Sequence, residues 1–145
     1  MGVIDDRIDE LGLRLPPEIV PPPGVVLPFS FVKVVGDRAL ISGHGPQAPD
    51  GSVAGPFGRL GDDLDIDQGY EAARLTALSI LGSLHRELGD LDRIAGWTRL
   101  FGMVRSAPGF DRQPAVINGC SDLILEVFGP SAGAHTRSAV GLAAL

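Results

Sequence analysis

The chain has 145 residues, 44% hydrophobic and 21% charged, enough for one soluble domain that buries about 68–70% of its unfolded surface. A net charge of −6, with no Lys/Arg cluster, excludes a broad phosphate-binding face, so nucleic acid is not an expected partner. A single cysteine, Cys120, excludes an intrachain disulfide. No stretch reads as a signal peptide or membrane span, and a cytoplasmic location is expected.

In chain order, Ile4, Ile8 and Leu11 fall at i, i+4, i+7 and predict a short helix over 3–12, with Gly12 as its stop. Pro16 to Pro28, including Pro21-Pro22-Pro23, predicts a stiff extended strap rather than a helix. Residues 1–27 are thus expected as an N-terminal helix and strap, and 28–145 as the domain proper. Phe31–Val35 and Ala39–Ser42, separated by Gly36-Asp37-Arg38, predict a hairpin. The second strand runs into Ser42-Gly43-His44-Gly45-Pro46, a bend whose glycines let backbone N–H groups approach a ligand. Its spacing is not that of a nucleotide loop. Pro49-Asp50-Gly51 reads as a further turn.

A long helix is expected over 67–88. Asp65 or Asp67 can cap it, Asp65 with Gln68 fitting a capping box; Tyr70, Ala73, Ala77, Ile80, Leu81, Leu84 and Leu88 lie on one stripe, and Gly89 is a left-handed cap. A turn and strand follow over 92–104, with Arg99 and Arg105 as solvated edge charges. A second helix over 113–128 turns Val116, Cys120, Leu123 and Val127 inward and ends at Gly129-Pro130. Cys120 on this stripe reads as a buried, inert thiol. The last strand begins with Thr136-Arg137-Ser138-Ala139-Val140. The whole predicts an α+β domain, one sheet with both helices on one face.

Arg137 is the residue with the sharpest chemical demand. Arginine keeps its charge in a protein and presents a planar fork suited to a carboxylate. At the mouth of an apolar strand it needs an anionic partner, either a protein Asp/Glu or a small acidic ligand. His135, two residues earlier, either lines the same mouth or is a surface loop histidine. His44, His85 and His135 lack metal-site spacing, and the Asp62–Asp67 cluster lacks the EF-hand pattern, so no metal or cofactor is expected. Ser106 and Ser138 have no evident His–Asp partners.

Gly69-Tyr70-Glu71-Ala72-Ala73-Arg74, then Pro108-Gly109-Phe110, Gln113-Pro114, Ile117-Asn118-Gly119 and Ser121-Asp122-Leu123, and finally Arg137 before a Val-bearing strand, stand in one order over residues 28–145. In this the chain resembles the RidA/YjgF family. The resemblance implies a chorismate mutase-like fold, a homotrimer with ligand clefts between subunits, and hydrolysis of small enamines or imines to a 2-keto acid and ammonia. It implies Arg137 as the catalytic residue that holds the substrate carboxylate, with the Ala139 N–H sharing it. Asn118, Phe29, Ser42, Gly43 and His44 would line the cleft. Some relatives carry an endoribonuclease or translation-inhibitor label, which the acidity of this chain disfavours. A non-catalytic carboxylate-binding role on the same fold is the alternative. Phe29 stands where relatives have tyrosine and Ala139 where they have cysteine. The family's last strand, with a water-positioning glutamate, has no counterpart before Leu145.

Overall fold

The structure, a computed structural model, describes residues 2–145. Helix α1 (Val3–Glu10) opens the chain. It has no side-chain cap of its own. Instead Asp92, far along the sequence, accepts from the N–H groups of Val3 and Ile4 with its two oxygens, each at 2.8 Å, which satisfies two orphan donors and sets an anion on the helix N-terminus. Arg7 donates to the Glu126 carbonyl, and Ile8 and Leu13 are buried in the main core. The N-terminal segment therefore packs into the domain.

Strands β1 (Val32–Val35) and β2 (Arg38–Ile41) form the expected antiparallel hairpin, closed by Gly36 at φ +60°. The loop that follows is held by Gln47, a buried side chain that donates to Pro17 O and Gly51 O and accepts from Ser79. Helix α2 (Ile66–Leu88) carries both halves of the Asp65/Gln68 capping box and stops at Gly89, φ +76°. A 3₁₀ turn at Leu91–Arg93 leads to β3 (Arg99–Arg105). Helix α3 (Gln113–Ala132) breaks at Gly129, φ +83°, before Pro130, and a further helical turn follows. Strand β4 (Thr136–Leu142) lies parallel to β3, residue 137 opposite 100 and 139 opposite 102.

The four strands do not make the single sheet that the pattern predicts. They form two two-stranded sheets, β1–β2 and β3–β4. Periodicity reports which face of a strand is buried, not which edge it bonds. The hairpin closes on itself against α2, whereas β3 and β4 pair across the α3 crossover.

The α2–α3 crossing is the centre of the fold, and the recurring sequence patterns meet there. Gly69 sits against Leu60 and Val116, and Gly119 against the Tyr70 backbone. The Tyr70 hydroxyl donates to Asp122 at 2.7 Å. Leu81, Leu84, Leu123 and Ile124 are almost fully enclosed between the helices. Cys120 lies among them, and burial pushes its thiol up to about 12. Its thiolate is then negligible at neutral pH. A disulfide reagent should leave native Cys120 unmodified and titrate it fully once the chain is unfolded. Rapid labelling of folded protein would contradict this packing.

Candidate functional site

Arg137 and Ala139 alternate onto the face of β4 that looks at α3, where Ala139 packs against the cluster of Leu60, Val104, Val116 and Ile117. The Arg137 guanidinium donates to Ser121 Oγ at 3.2 Å and to the Pro114 carbonyl at 3.3 Å. Among the described residues it makes no ion pair with any carboxylate. The protein partner that a structural arginine would have is therefore not there.

The backbone adds to this. In a parallel ladder, alternate residues turn their N–H and C=O toward the partner strand. Thr136 N–H bonds Thr98 O and Leu142 O accepts from Ser106 N–H, so the even-numbered residues of β4 face β3. The N–H groups of Arg137, Ala139 and Gly141 point to the other edge, where no strand pairs among the described residues. A fixed positive charge thus stands beside a row of free donors.

Sequence reasoning did not identify Ser121. It lies on α3 at i+7 from Pro114 and i+3 from Asn118, so the three share the face toward Arg137. Ser121 Oγ also meets His135 Nε2 at 2.9 Å, while His135 Nδ1 lies 2.7 Å from the Gly133 carbonyl. His135 is thus a half-buried member of the Arg137 group and not a free loop side chain. Only its spacing from Arg137 hinted at this. Asn118 is exposed one turn before Ser121.

The remaining candidates gather on the hairpin. Phe29 packs edge-on against Phe31, ring centroids 5.8 Å apart, and Phe31 against His44 at 5.5 Å. The Ser42 hydroxyl donates to Ser30 O, Gly43 is exposed with open space where a Cβ would go, and His44 Nδ1 lies 2.7 Å from Ser42 O. His44 Nε2 meets Ser83 Oγ at 2.8 Å, and Arg86 donates to that same hydroxyl. The Arg–Ser–His arrangement is therefore built twice, once on each long helix. No hydrogen bond among the described residues joins the hairpin group to the Arg137 group.

Burial, aided by the Arg86 charge and opposed by the bond to Ser42, lowers the pKa of His44 below its ordinary 6.5. An unfolded chain then binds more protons than the folded one just below that value, so stability declines as pH falls through the window. His44→Asn should flatten the slope of unfolding free energy just below pH 6.5, read by urea denaturation. An unchanged slope would contradict the neutral imidazole.

Among the described residues no group of three or more His, Cys, Asp or Glu is placed to hold a metal, and no helix is long and apolar enough to cross a membrane.

Two helices crossing behind short strands, with the arginine strand running beside the second helix, define an α+β protein of chorismate mutase-like fold. The chain belongs to the YjgF family: the family described as YjgF/chorismate mutase-like, putative endoribonuclease matches residues 5–142. It is 39% identical over 145 residues to Protein TCP17 of Trypanosoma cruzi, covering 99% of this chain and 86% of that protein. The crystal structure of protein Atu1372 from Agrobacterium tumefaciens, whose function is unknown, superposes with a TM-score of 0.84 at 37% identity, covering 99% of this chain and 83% of that one. That of a putative endoribonuclease from Shewanella oneidensis gives 0.87 at 30% identity, covering 99% and 91%.

Proposed function

We propose that the protein hydrolyses small carboxylate-bearing imines, of the 2-iminopropionate type, to the 2-keto acid and ammonia, in clefts between the subunits of a homotrimer. The observation that carries this reading is Arg137, a cation with no carboxylate partner among the described residues, at an edge of N–H groups that no strand there pairs. A guanidinium fork fixes the orientation of a carboxylate as well as its charge. The Ala139 N–H shares that carboxylate, and the imine carbon is held where water reaches it. Asn118 lines the same face, and Phe29, Ser42, Gly43 and His44 form the opposing wall, brought up by a neighbouring subunit. Exposed Phe101 and Met103 on β3 and Leu40 on β2 offer apolar surface for subunit contact.

The test generates 2-iminopropionate in situ with an amino-acid oxidase and follows its decay. Acceleration by the wild-type protein, with matching release of pyruvate, is expected. A verified trimer that leaves the decay unchanged overturns the reading for that substrate. A second reading, a carboxylate-binding protein without turnover, is favoured by Phe29 and Ala139, which lack the hydroxyl and thiol of relatives. It predicts that a 2-keto acid stabilises the trimer while imine decay stays at the background rate. A ribonuclease activity would require salt-sensitive RNA binding, and the net charge of −6 counts against it.

A further inference from the structure

We propose that Ser121 and His135 together supply the base for this site: water gives its proton to Ser121 Oγ as the Ser121 proton passes to His135 Nε2. The inference rests on the imine-hydrolysis reading and names the groups that carry its proton.

The tautomer follows from the partners. A carbonyl oxygen only accepts, so the contact of 2.7 Å with Gly133 O places the hydrogen on His135 Nδ1. Neutral imidazole then presents Nε2 as an acceptor, and Ser121, at 2.9 Å, donates its hydroxyl hydrogen to it. Arg137 donates to the same oxygen at 3.2 Å. A hydroxyl has two acceptor lone pairs; Arg137 takes one and the second is left for a water. Any carboxylate held by Arg137 therefore lies next to a hydroxyl already bonded to a base. A nucleophile or water-activating hydroxyl, a histidine on it, and a third group orienting the histidine form the pattern expected of an activated oxygen.

The charged and titratable side chains on the packed elements are Arg137 on β4, Cys120, Asp122 and Glu126 on α3, and Arg99 and Arg105 on β3; burial keeps the Cys120 thiol protonated, Asp122 accepts from Tyr70, and Arg99 donates to Ser138. No carboxylate pairs with His135 among the described residues.

The proton balance closes without any other reactant. In the first step water adds its oxygen to the iminium carbon, the C=N π pair moves to nitrogen, and the water proton reaches His135 by way of Ser121. The products are a neutral carbinolamine and an imidazolium. In the second step the imidazolium returns its proton by the same path to the amine nitrogen. The C–N bond then breaks with its electron pair on nitrogen, the hydroxyl becomes C=O, and its proton leaves with ammonia as ammonium. Both histidine and serine are restored.

The test compares wild type, His135→Asn and Ser121→Ala, with His135→Gln as a second variant should the first fail to fold. For each, kcat for 2-iminopropionate is followed across pH, and Kd for 2-ketobutyrate is measured in parallel. General-base removal should lower kcat about a hundredfold and abolish the acid limb of the wild-type kcat profile, with Kd unchanged in the His135 variants, which leave both Arg137 hydrogen bonds in place. An active wild type whose rate and acid limb survive in every folded variant overturns the relay alone. So does a loss of Kd in step with kcat in the His135 variants, which marks a scaffold for Arg137. A wild type without imine hydrolysis overturns the deaminase reading and the relay with it.

Discussion

Gly119→Ala is expected to destabilise the protein by about 3 kcal/mol, a fall in Tm of about 10 °C. Elsewhere in a helix the same change helps, because alanine is favoured over glycine by up to about 1 kcal/mol. Here the new Cβ would collide with the carbonyl oxygen of Tyr70, which is backbone and cannot swing aside, and would press on the Ala73 methyl at 3.2 Å. The helices must separate, and with them the core of Leu81, Leu84, Leu123 and Ile124. Steric cost therefore outweighs propensity. Gly45→Ala is the contrast: nothing lies within 4 Å of its added Cβ, and the change should stay within about 0.5 kcal/mol. Thermal melts of the two variants decide the matter. Equal melting temperatures would contradict the close helix crossing.

Arg137→Ala should lower kcat/KM for 2-iminopropionate by roughly one hundred- to one thousand-fold, the range set by truncating one partner of a desolvated charge pair. Its effect on stability should be small by comparison, since among the described residues only a hydroxyl and one carbonyl bind the guanidinium. Arg137→Lys keeps the charge but loses the fork and should recover only part of the activity. A full recovery by lysine would show that charge, not geometry, is what the site uses.

Much of the architecture was legible because its signals are local. The Asp65/Gln68 box and Gly89 fix α2, Gly36 closes the hairpin, and Val116, Cys120, Leu123 and Val127 repeat at helical spacing on α3. Pairing between strands is not local, and so the split into two sheets was not legible. The same limit applies to the site. Arg137 announces itself because an arginine at an apolar strand demands an anion. Ser121 does not, since a small hydroxyl on a buried helix face looks like packing until β4 brings His135 and Arg137 onto it. The Gly-Tyr-Glu-Ala-Ala-Arg and Ile-Asn-Gly patterns pointed to the family, yet Gly69, Tyr70 and Gly119 serve the helix crossing.

A small carboxylate is expected to bind at the Arg137 edge of β4. A solution NMR titration of the whole chain with 2-ketobutyrate tests it most directly, following the arginine side-chain and backbone N–H signals. Saturable shifts of the Arg137 guanidinium and the Ala139 N–H, abolished by Arg137→Ala, are the predicted result. Saturable shifts elsewhere with both of these signals unmoved, or an unchanged affinity in the alanine variant, would contradict it.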